Sequence, residues 1–234
     1  MDQHQTQAFA WELTLTELRL GKPSPESRAP GEISTIPLVI PGIILAAGAS
    51  TRMGRSKPLL TLPNGSTFVE ALTTTLVDGG VADVLIVGRP DDRPLRDAVE
   101  RLPRARFAEN ARADEGQLSS VIAGLNAADR PGVTGVLVTP VDLPLIAAHT
   151  VRILLASFSA AHIPIARTSH GGRHGHPVIF GRRVFDELRH ADPTVGAKSV
   201  LRANQASVLD VEVDDAGVLR DIDTPEDYAR LTER

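Results

Sequence analysis

The strongest constraint on this 234-residue chain is the stretch 38–60, where an apolar run ends abruptly in a loop of small, hydroxyl-bearing and cationic residues. Its notable residues are, in order, Leu45, Ala46, Ala47, Gly48, Ser50, Arg52, Gly54, Arg55 and Lys57. Small side chains let backbone N–H groups approach oxygen atoms, and cations neutralise anionic charge. The stretch therefore predicts a buried strand that opens onto a polyphosphate-binding loop. An ordinary strand-to-helix turn is the plainer alternative, but it does not account for three cations among glycines.

The spacing of this loop excludes two common phosphate-binding motifs. A Walker A loop needs four residues between its glycines and then Lys-Ser or Lys-Thr, whereas five residues separate Gly48 from Gly54 and Arg55 follows. A dinucleotide fingerprint needs Gly-x-Gly-x-x-Gly at the start of a helix. Here Ala49 and Ser50 follow Gly48, so neither motif is present.

The order of the loop residues resembles the signature loop of nucleotidyltransferases, above all the molybdenum cofactor cytidylyltransferases and guanylyltransferases. The resemblance implies that the loop wraps a triphosphate. It implies catalytic roles for Lys57 and Arg52, which would stabilise that triphosphate. The loop residues with an implied nucleotide-binding role are Leu45, Ala46, Ala47, Gly48, Ser50, Gly54 and Lys57.

Composition narrows the class of protein. The 25 Lys and Arg residues against 29 Asp and Glu give a net charge of −4, and no basic stripe stands out, which argues against a nucleic-acid partner. The absence of cysteine excludes disulfides and thiolate metal sites. The start of the chain lacks a secretory signal pattern, and the apolar stretch 36–49 is too short and too broken to span a membrane. We expect a cytoplasmic protein with no membrane partner.

The chain divides into two parts. Residues 1–37 are Pro-rich and predict a flexible N-terminal extension and linker, although packing of its single tryptophan, Trp11, on the domain or a partner stays open. Residues 38–234 alternate short apolar runs with helical patterns and predict one α/β domain. Its mostly parallel, mixed central sheet should carry helices on both faces. Predicted strands are 38–46, 83–88, 104–108, 135–139, 163–168, 178–180 and 208–213, with a turn over 170–177. Predicted helices are 67–78, 92–101, 117–128, 149–159, 181–189, 196–203 and 225–231.

Asp142 follows the predicted strand 135–139, and ligands of open parallel sheets bind beyond such strand ends. A carboxylate there can hold Mg²⁺, although a turn cap is the common alternative. Asp142-Leu143-Pro144 is similar to the family's metal-binding Asp-x-Pro motif, which implies that Asp142 is catalytic and a metal ligand. The segment 221–227 resembles the family's closing acidic motif. It implies a second metal ligand, Asp223 in preference to Asp221, while capping of the last helix explains part of the pattern.

Gln117, Ser119 and Ser120 stand at the start of the predicted helix 117–128, where amides, hydroxyls and free N–H groups can read a base or ribose. Simple helix capping is the alternative. The Gly-Gln-x-Ser-Ser pattern resembles the cytidylyltransferase branch, and Ala47 agrees with it. The resemblance therefore implies nucleotide-binding roles for these three residues and favours CTP over GTP.

Three histidines, His170, His174 and His176, fall within seven residues. A zinc site is one reading, but no further ligand with suitable spacing accompanies them. The segment Gly175-His176-Pro177 instead matches a family segment near the acceptor substrate. Its implied acceptor-binding residues are Arg173, Gly175, His176 and Pro177. Lys198 is a further candidate for a phosphate contact, with a solvated surface lysine as the plainer alternative.

The resemblance covers about residues 38–234. It implies a Mg²⁺-dependent transfer of CMP from CTP to a phosphorylated acceptor, molybdopterin or the molybdenum cofactor, with release of pyrophosphate and a molybdoenzyme as a recipient of the product. A guanylyltransferase, a sugar- or polyol-phosphate nucleotidyltransferase and a non-catalytic nucleotide-binding chaperone for the cofactor stay open as alternatives, because a fold does not fix a substrate.

Overall fold

Apolar runs alternate with amphipathic helices along the chain, and in the computed structural model they form one mixed sheet flanked by helices. The structure describes residues 39–49 and 53–232, so the predicted extension 1–37 lies outside the described residues. The strands are β1 (Gly42–Leu45), β2 (Val84–Gly88), β3 (Ala105–Glu109), β4 (Gly135–Pro140), β5 (Ile165–His170), β6 (Arg173–Gly181) and β7 (Val208–Glu212). The α-helices are α1 (Phe68–Gly79), α2 (Arg93–Glu100), α3 (Gln117–Ala128), α4 (Ala148–Ala161), α5 (Phe185–Arg189), α6 (Lys198–Ala203) and α7 (Pro225–Thr232).

The strand order places a ligand crevice at the ends of β1 and β4. Across the described residues the order is β3-β2-β1-β4-β6-β5-β7. β1 pairs in parallel with β2 on one side and with β4 on the other, while β6 runs antiparallel to both β4 and β5. The predicted mostly parallel, mixed sheet is therefore confirmed. The chain continues from β1 to β2 on one side and later reaches β4 on the other side of β1. The carboxyl ends of β1 and β4 therefore form a switch point of the kind where open α/β sheets bind ligands.

The sheet is buried on both faces because its central strands are apolar at successive positions. Ile43 and Ile44 are both fully buried and belong to opposite faces of β1. Ile44 packs in one core cluster with Leu72 of α1, and Ile43 packs in the other with Leu125 of α3 and Phe185 of α5. Each fully buried aliphatic side chain stabilises the fold by about 1.5–3 kcal/mol. These two cores fix the strand ends from which the cavity described below is built.

Helix α1 shows how local sequence sets the helix boundaries. The Thr67 backbone N–H donates to the Glu70 carboxylate at 2.7 Å, and the Glu70 N–H donates back to the Thr67 hydroxyl oxygen at 3.4 Å. This capping box satisfies two backbone donors at the helix start. Gly80 ends the helix with a φ of 104°, a conformation that glycine adopts without strain. In the described part of the chain, no helix combines the length and apolarity that crossing a bilayer requires.

The predicted turn over 170–177 is wrong for residues 173–177, which belong to β6. The turn itself is only Gly171-Gly172, with φ values of 58° and 73°, and His170 pairs directly with Arg173. Two glycines with positive φ suit a two-residue hairpin turn, so the strand resumes at once. The predicted helix 181–189 is also shorter than expected: Gly181 ends β6, a 3₁₀ turn follows over Arg182–Val184, and α5 begins at Phe185.

Candidate active site

A cavity of about 410 Å³ opens at the carboxyl ends of β1 and β4. Its walls come from the loop after β1, the 3₁₀ turn Lys57–Leu59, the segment that leads into α3, and the residues that follow β4. The lining residues are Leu45, Ala46, Ala47, Gly48, Ala49, Lys57, Pro58, Ala113, Gly116, Gln117, Ser120, Pro140, Val141, Asp142 and Asp223. Segments far apart in the sequence thus meet at the switch point of the sheet.

The loop after β1 contributes backbone and small side chains to this cavity. The Ala46 N–H donates to the Val87 carbonyl at 2.9 Å as the last bond between β1 and β2. The predicted nucleotide-binding residues that line the cavity are Leu45, Ala46, Ala47, Gly48, Lys57, Gln117 and Ser120. Gly54 lines an adjoining cavity of about 540 Å³ instead. Ser50 and Arg52 lie outside the described residues.

A lysine and two carboxylates meet at one end of the cavity. The Lys57 ammonium lies 3.4 Å from Asp142 Oδ2 and also contacts Asp223 Oδ1. The three side chains are only 12%, 24% and 23% exposed. The structure therefore brings together the predicted triphosphate-binding lysine and both predicted metal ligands. Asp142 lies 85 residues and Asp223 lies 166 residues after Lys57 in the sequence.

Backbone bonds hold the two carboxylates in place. The Val141 N–H donates to the Leu45 carbonyl at 3.1 Å, which extends the β1–β4 pairing by one residue, and the Ile222 N–H donates to the Asp142 carbonyl at 2.8 Å. The second of these bonds joins Asp142, the second residue after β4, to the segment that carries Asp223. The backbone at Asp142, and that of the segment carrying Asp223, is thus tied to the sheet by backbone hydrogen bonds.

Asp227 anchors that acidic segment from the first turn of α7. Its Oδ2 accepts from the Asp223 N–H at 3.3 Å, from the Thr224 N–H at 3.0 Å and from the Thr224 hydroxyl at 2.9 Å. The Thr224 hydroxyl, and next the Arg230 guanidinium, hold the pKa of Asp227 at about 2. Asp227 is a helix-start acid, as the sequence suggested for this segment, and it also fixes the backbone of Asp223.

The electrostatics of the cluster suit a divalent cation. Burial raises the pKa of Asp142, with Lys57 opposing that rise and the Asp223 and Asp221 carboxylates adding to it. Within residues 39–49 and 53–232, no group of three or more His, Cys, Asp or Glu side chains converges on one point that could hold a metal. Two carboxylates beside a cavity fit Mg²⁺, which takes its remaining ligands from phosphates and water. Asp142 and Asp223 are thus the residues that could hold such an ion.

Asn110 organises the wall at the start of α3, and the sequence analysis did not single it out. The side chain is buried, with 4% exposure. Its amide nitrogen donates to the Ser119 hydroxyl at 2.9 Å and to the Ser120 hydroxyl at 3.0 Å, and its Oδ1 accepts from the Arg112 N–H. Ser120 lines the 410 Å³ cavity, whereas Ser119 lines a separate cavity of about 320 Å³. A polar residue directly after β3 was the available sequence signal.

The predicted acceptor residues Arg173, Gly175, His176 and Pro177 lie along β6, outside the lining of the 410 Å³ cavity. Val178 pairs with Val138 of β4, so residues 176 and 177 extend past that pair toward the cavity end of β4. Burial lowers the pKa of His176. The Val138 carbonyl acts to raise that pKa, and the charge of Lys198 acts to lower it. Arg173 is at the hairpin end of β6, about 10 Å of strand from His176, so the structure separates these two predicted residues.

The three histidines of the hairpin have different surroundings and do not form a metal site. His170 Nδ1 lies 2.9 Å from the Val213 carbonyl oxygen, and His174 Nε2 lies 3.0 Å from the Arg167 guanidinium. His176 Nδ1 is buried without a hydrogen-bond partner in the described part of the chain. The histidine cluster therefore gives no support to the zinc interpretation.

Comparison with known proteins gives a consistent family. The sequence model described as the MobA-like NTP transferase domain matches residues 42–208. The purine catabolism protein PucB of Bacillus subtilis is 30% identical over 194 residues, which are 80% of this chain and 93% of that protein. The nicotine blue oxidoreductase of Paenarthrobacter nicotinovorans is 30% identical over 198 residues, 82% of this chain and 96% of that protein. The molybdenum cofactor cytidylyltransferase of Escherichia coli is 24% identical over 82% of this chain and 95% of its own length.

Further matches include a relative named for guanylyl transfer and two solved structures of one protein. The molybdenum cofactor guanylyltransferase of a Bradyrhizobium strain is 28% identical over 72% of this chain and 79% of its own length, so the relatives include enzymes named for either base. Rv0371c from Mycobacterium tuberculosis superposes with a TM-score of 0.71 at 27% identity, covering 84% of this chain and 99% of that one. A manganese complex of the same protein superposes with a TM-score of 0.64 at 26% identity and the same coverage.

Proposed function

The chain belongs to the MobA-like NTP transferase domain family, and from that premise we propose that it transfers CMP from CTP to a phosphorylated acceptor of the molybdopterin class. The observation that carries the proposal is the convergence of Lys57, Asp142 and Asp223 beside a cavity walled by small residues. A cation and two carboxylates are the groups that binding and activating a metal-bound triphosphate requires. The relatives named as molybdenum cofactor transferases support the choice of acceptor.

The triphosphate lies along the loop after β1. Residues 46–49 carry no side chain larger than a methyl group, so the backbone can approach phosphate oxygens closely. Lys57, which lines the same cavity, neutralises part of the phosphate charge. Asp142 and Asp223 would hold the divalent ion, which would supply positive charge to offset the negative charge that develops on the phosphates. The manganese complex of Rv0371c agrees with a divalent metal, and Mg²⁺ is the ion we propose here.

The reaction is an in-line substitution at the α-phosphorus of CTP. An oxygen of the acceptor phosphate forms a bond to that phosphorus, the bond to the oxygen that bridges to the β-phosphate breaks, and pyrophosphate leaves with the electron pair. The acceptor phosphate is already an anionic nucleophile, so no general base is needed. Catalysis then depends on alignment of the two phosphates and on neutralisation of their charge. Lys57 contributes a compact positive charge that lies beside the two carboxylates.

The nucleoside occupies the end of the cavity formed by Ala47 and the start of α3. Gln117 and Ser120 line that end and present an amide and a hydroxyl. Ala47 and the Gly-Gln-x-Ser-Ser pattern support cytosine over guanine by resemblance, and GTP is the competing nucleotide. The acceptor approaches from the β6 side, where His176 and Pro177 extend toward the end of β4.

A nucleotide panel tests this proposal. Thermal unfolding of the purified chain is measured with CTP, GTP, ATP and UTP, each with Mg²⁺, because a ligand at 100 times its Kd adds about 2.7 kcal/mol to stability. CTP should raise Tm most, and Lys57→Ala should reduce that shift. Stabilisation by GTP alone would overturn the cytosine assignment, and no stabilisation by any nucleotide would overturn the function itself.

A further inference from the structure

Arg89 joins the two walls of the nucleoside end of the cavity. It follows the last residue of β2, and its Nε donates to the Ala47 carbonyl at 3.1 Å. The far end of the guanidinium donates to Asp114 Oδ1 at 2.7 Å. Asp114 belongs to the 3₁₀ turn Ala113–Glu115, which leads into α3. One side chain thus bridges the loop after β1 and the turn before α3.

The backbone geometry explains why this bridge matters at Ala47. The ladder between β1 and β2 ends where the Ala46 N–H meets the Val87 carbonyl. The carbonyl of Ala47 lies one residue beyond that bond, so a side chain takes over where the sheet stops. Ala47 is buried and lines the 410 Å³ cavity. The orientation of this peptide decides which way its polar atoms face within the nucleoside end.

Arg89 acts from an adjoining cavity. It does not line the 410 Å³ cavity; with Arg55 and Ser56 it lines the adjoining cavity of about 540 Å³. Residues on both sides of its bridge do line the 410 Å³ cavity, Ala47 on one and Ala113 and Gly116 on the other. A group in this position can set the distance between two binding walls without touching what binds there.

We infer that Arg89 is a positioning residue that holds the Ala47 backbone and the turn before α3 at the separation a nucleoside requires. This inference rests on the proposed function, because it assigns the nucleoside to that end of the cavity. The planar fork of arginine matches the task, since its separate nitrogens reach two acceptors in fixed directions, whereas the donors of lysine all sit on one nitrogen. Arg89 is a positioning residue and not a catalytic one.

The bridge should contribute little to folding. The Asp114 side chain is 88% exposed and the Arg89 side chain is 31% exposed, and ion pairs of this kind are weak in water. Loss of the bridge should therefore change nucleotide binding far more than it changes unfolding. A merely structural residue would show the opposite pattern.

The test compares Arg89→Met, Arg89→Lys and wild type with CTP and GTP, each with Mg²⁺. Arg89→Met should raise KM for the accepted nucleotide, and its Kd by thermal shift, about tenfold, equivalent to about 1.4 kcal/mol. We expect kcat at saturating nucleotide, and the urea midpoint without nucleotide, to stay close to wild type. Arg89→Lys should recover part of the affinity, because its ammonium group can still donate to one of the two acceptors.

Arg96→Met is the matched control. Arg96 forms a similar surface ion pair, with Glu109 at 2.6 Å and a side chain 32% exposed, but it joins no two walls of the 410 Å³ cavity. Its KM should equal that of wild type. Asp114→Ala removes the other end of the bridge. The rise in KM of the double variant with Arg89→Met should therefore be smaller than the two single effects combined.

Three results would overturn the inference. Unchanged nucleotide affinity in Arg89→Met, with wild type binding normally, would remove the positioning role and leave the proposed function intact. A KM rise matched by an equal rise after Arg96→Met would show a general charge effect. If wild type itself binds no nucleotide, the proposed function and this inference fail together.

Discussion

Lys57→Met is the perturbation that most directly tests the charge balance of the cavity. The substitution keeps the aliphatic stem and removes the ammonium that contacts Asp142 and Asp223. Two carboxylates are then left facing each other in a site where burial already raises the pKa of Asp142. We expect the folded state to lose stability for this electrostatic reason, independently of any catalytic effect.

The magnitude follows from distance and exposure. At an effective dielectric constant of about 20, unit charges separated by the 3.4 Å between Lys57 and Asp142 attract by about 5 kcal/mol. Desolvation of both groups offsets much of this. Breaking buried pairs costs about 3–5 kcal/mol and exposed pairs about 0–1 kcal/mol. With side chains 12–24% exposed, Lys57→Met should cost about 2 kcal/mol, or about 1 M in urea midpoint for a slope near 2 kcal/mol/M.

The assay is urea unfolding at pH 7, followed by far-UV circular dichroism, for wild type, Lys57→Met, Asp223→Asn and the double variant. Asp223→Asn in the Lys57→Met background removes one of the two carboxylate charges that then repel each other across the site, so it should restore at least half of the lost stability. Nucleotidyl transfer should remain absent in the double variant. Equal midpoints for wild type and Lys57→Met, or a double variant no more stable than Lys57→Met, would refute this account of the cluster.

Three further predictions concern Asp142, Asp227 and Asn110. The raised pKa of Asp142 means that its protonated form stabilises the fold below the usual carboxyl pKa and that this contribution is lost as pH rises through the higher folded pKa. Asp142→Asn should therefore equal or exceed wild type in urea midpoint at pH 7 while abolishing pyrophosphate release; a large loss of stability would contradict this. The pKa of Asp227, lowered from 3.8 to about 2, means that its contribution is present above pH 3.8 and lost as pH falls toward 2. Asp227→Ala should accordingly be less stable than wild type at pH 7, with the gap closing in urea melts between pH 4 and pH 2; a constant gap would exclude this linkage. Asn110→Ala removes a buried hub and should cost about 1–3 kcal/mol in unfolding free energy and weaken nucleotide binding in the same thermal-shift assay; unchanged values in both would show that the hub is dispensable.

Much of the sheet could be predicted because its central strands carry their own signals. Residues 42–45, 84–88 and 135–139 are short apolar runs bounded by glycine, proline or polar residues, a pattern typical of strands buried on both faces. Helix α1 could be placed from its Thr67 and Glu70 caps and its terminal glycines. In each case the local pattern and the tertiary environment favour the same structure.

Residues 173–177 could not be placed because local preference and tertiary context disagree there. Gly175 and Pro177 disfavour a strand, yet β6 lies between β4 and β5. The pairing between β5 and β6 changes register between Arg167 and Ser169, next to Pro177. Proline is tolerated inside a sheet at such irregularities. The sequence around Pro177 does not predict the register shift, because the shift lies in the partner strand β5.

The site was predictable where strand ends carry charged residues and unpredictable where side chains bridge distant segments. Asp142 follows an apolar strand, so its place at the sheet edge follows from topology alone. The bridge of Arg89 to Ala47 and the buried bonds of Asn110 span residues that only the finished fold brings together. Ser119 shows that neighbours in the sequence can also be separated by the fold. It adjoins Ser120 in sequence but lines a different cavity.

Identification of the reaction product tests the central claim most directly. The purified chain is incubated with Mg²⁺, molybdopterin and an equimolar mixture of CTP and GTP, and the products are separated and weighed by mass spectrometry while pyrophosphate is counted. We predict one pyrophosphate per acceptor consumed and an acceptor heavier by one CMP unit, with no product from Lys57→Ala. A GMP-bearing product would contradict the cytosine assignment, and an unchanged acceptor without pyrophosphate would contradict nucleotidyl transfer to molybdopterin.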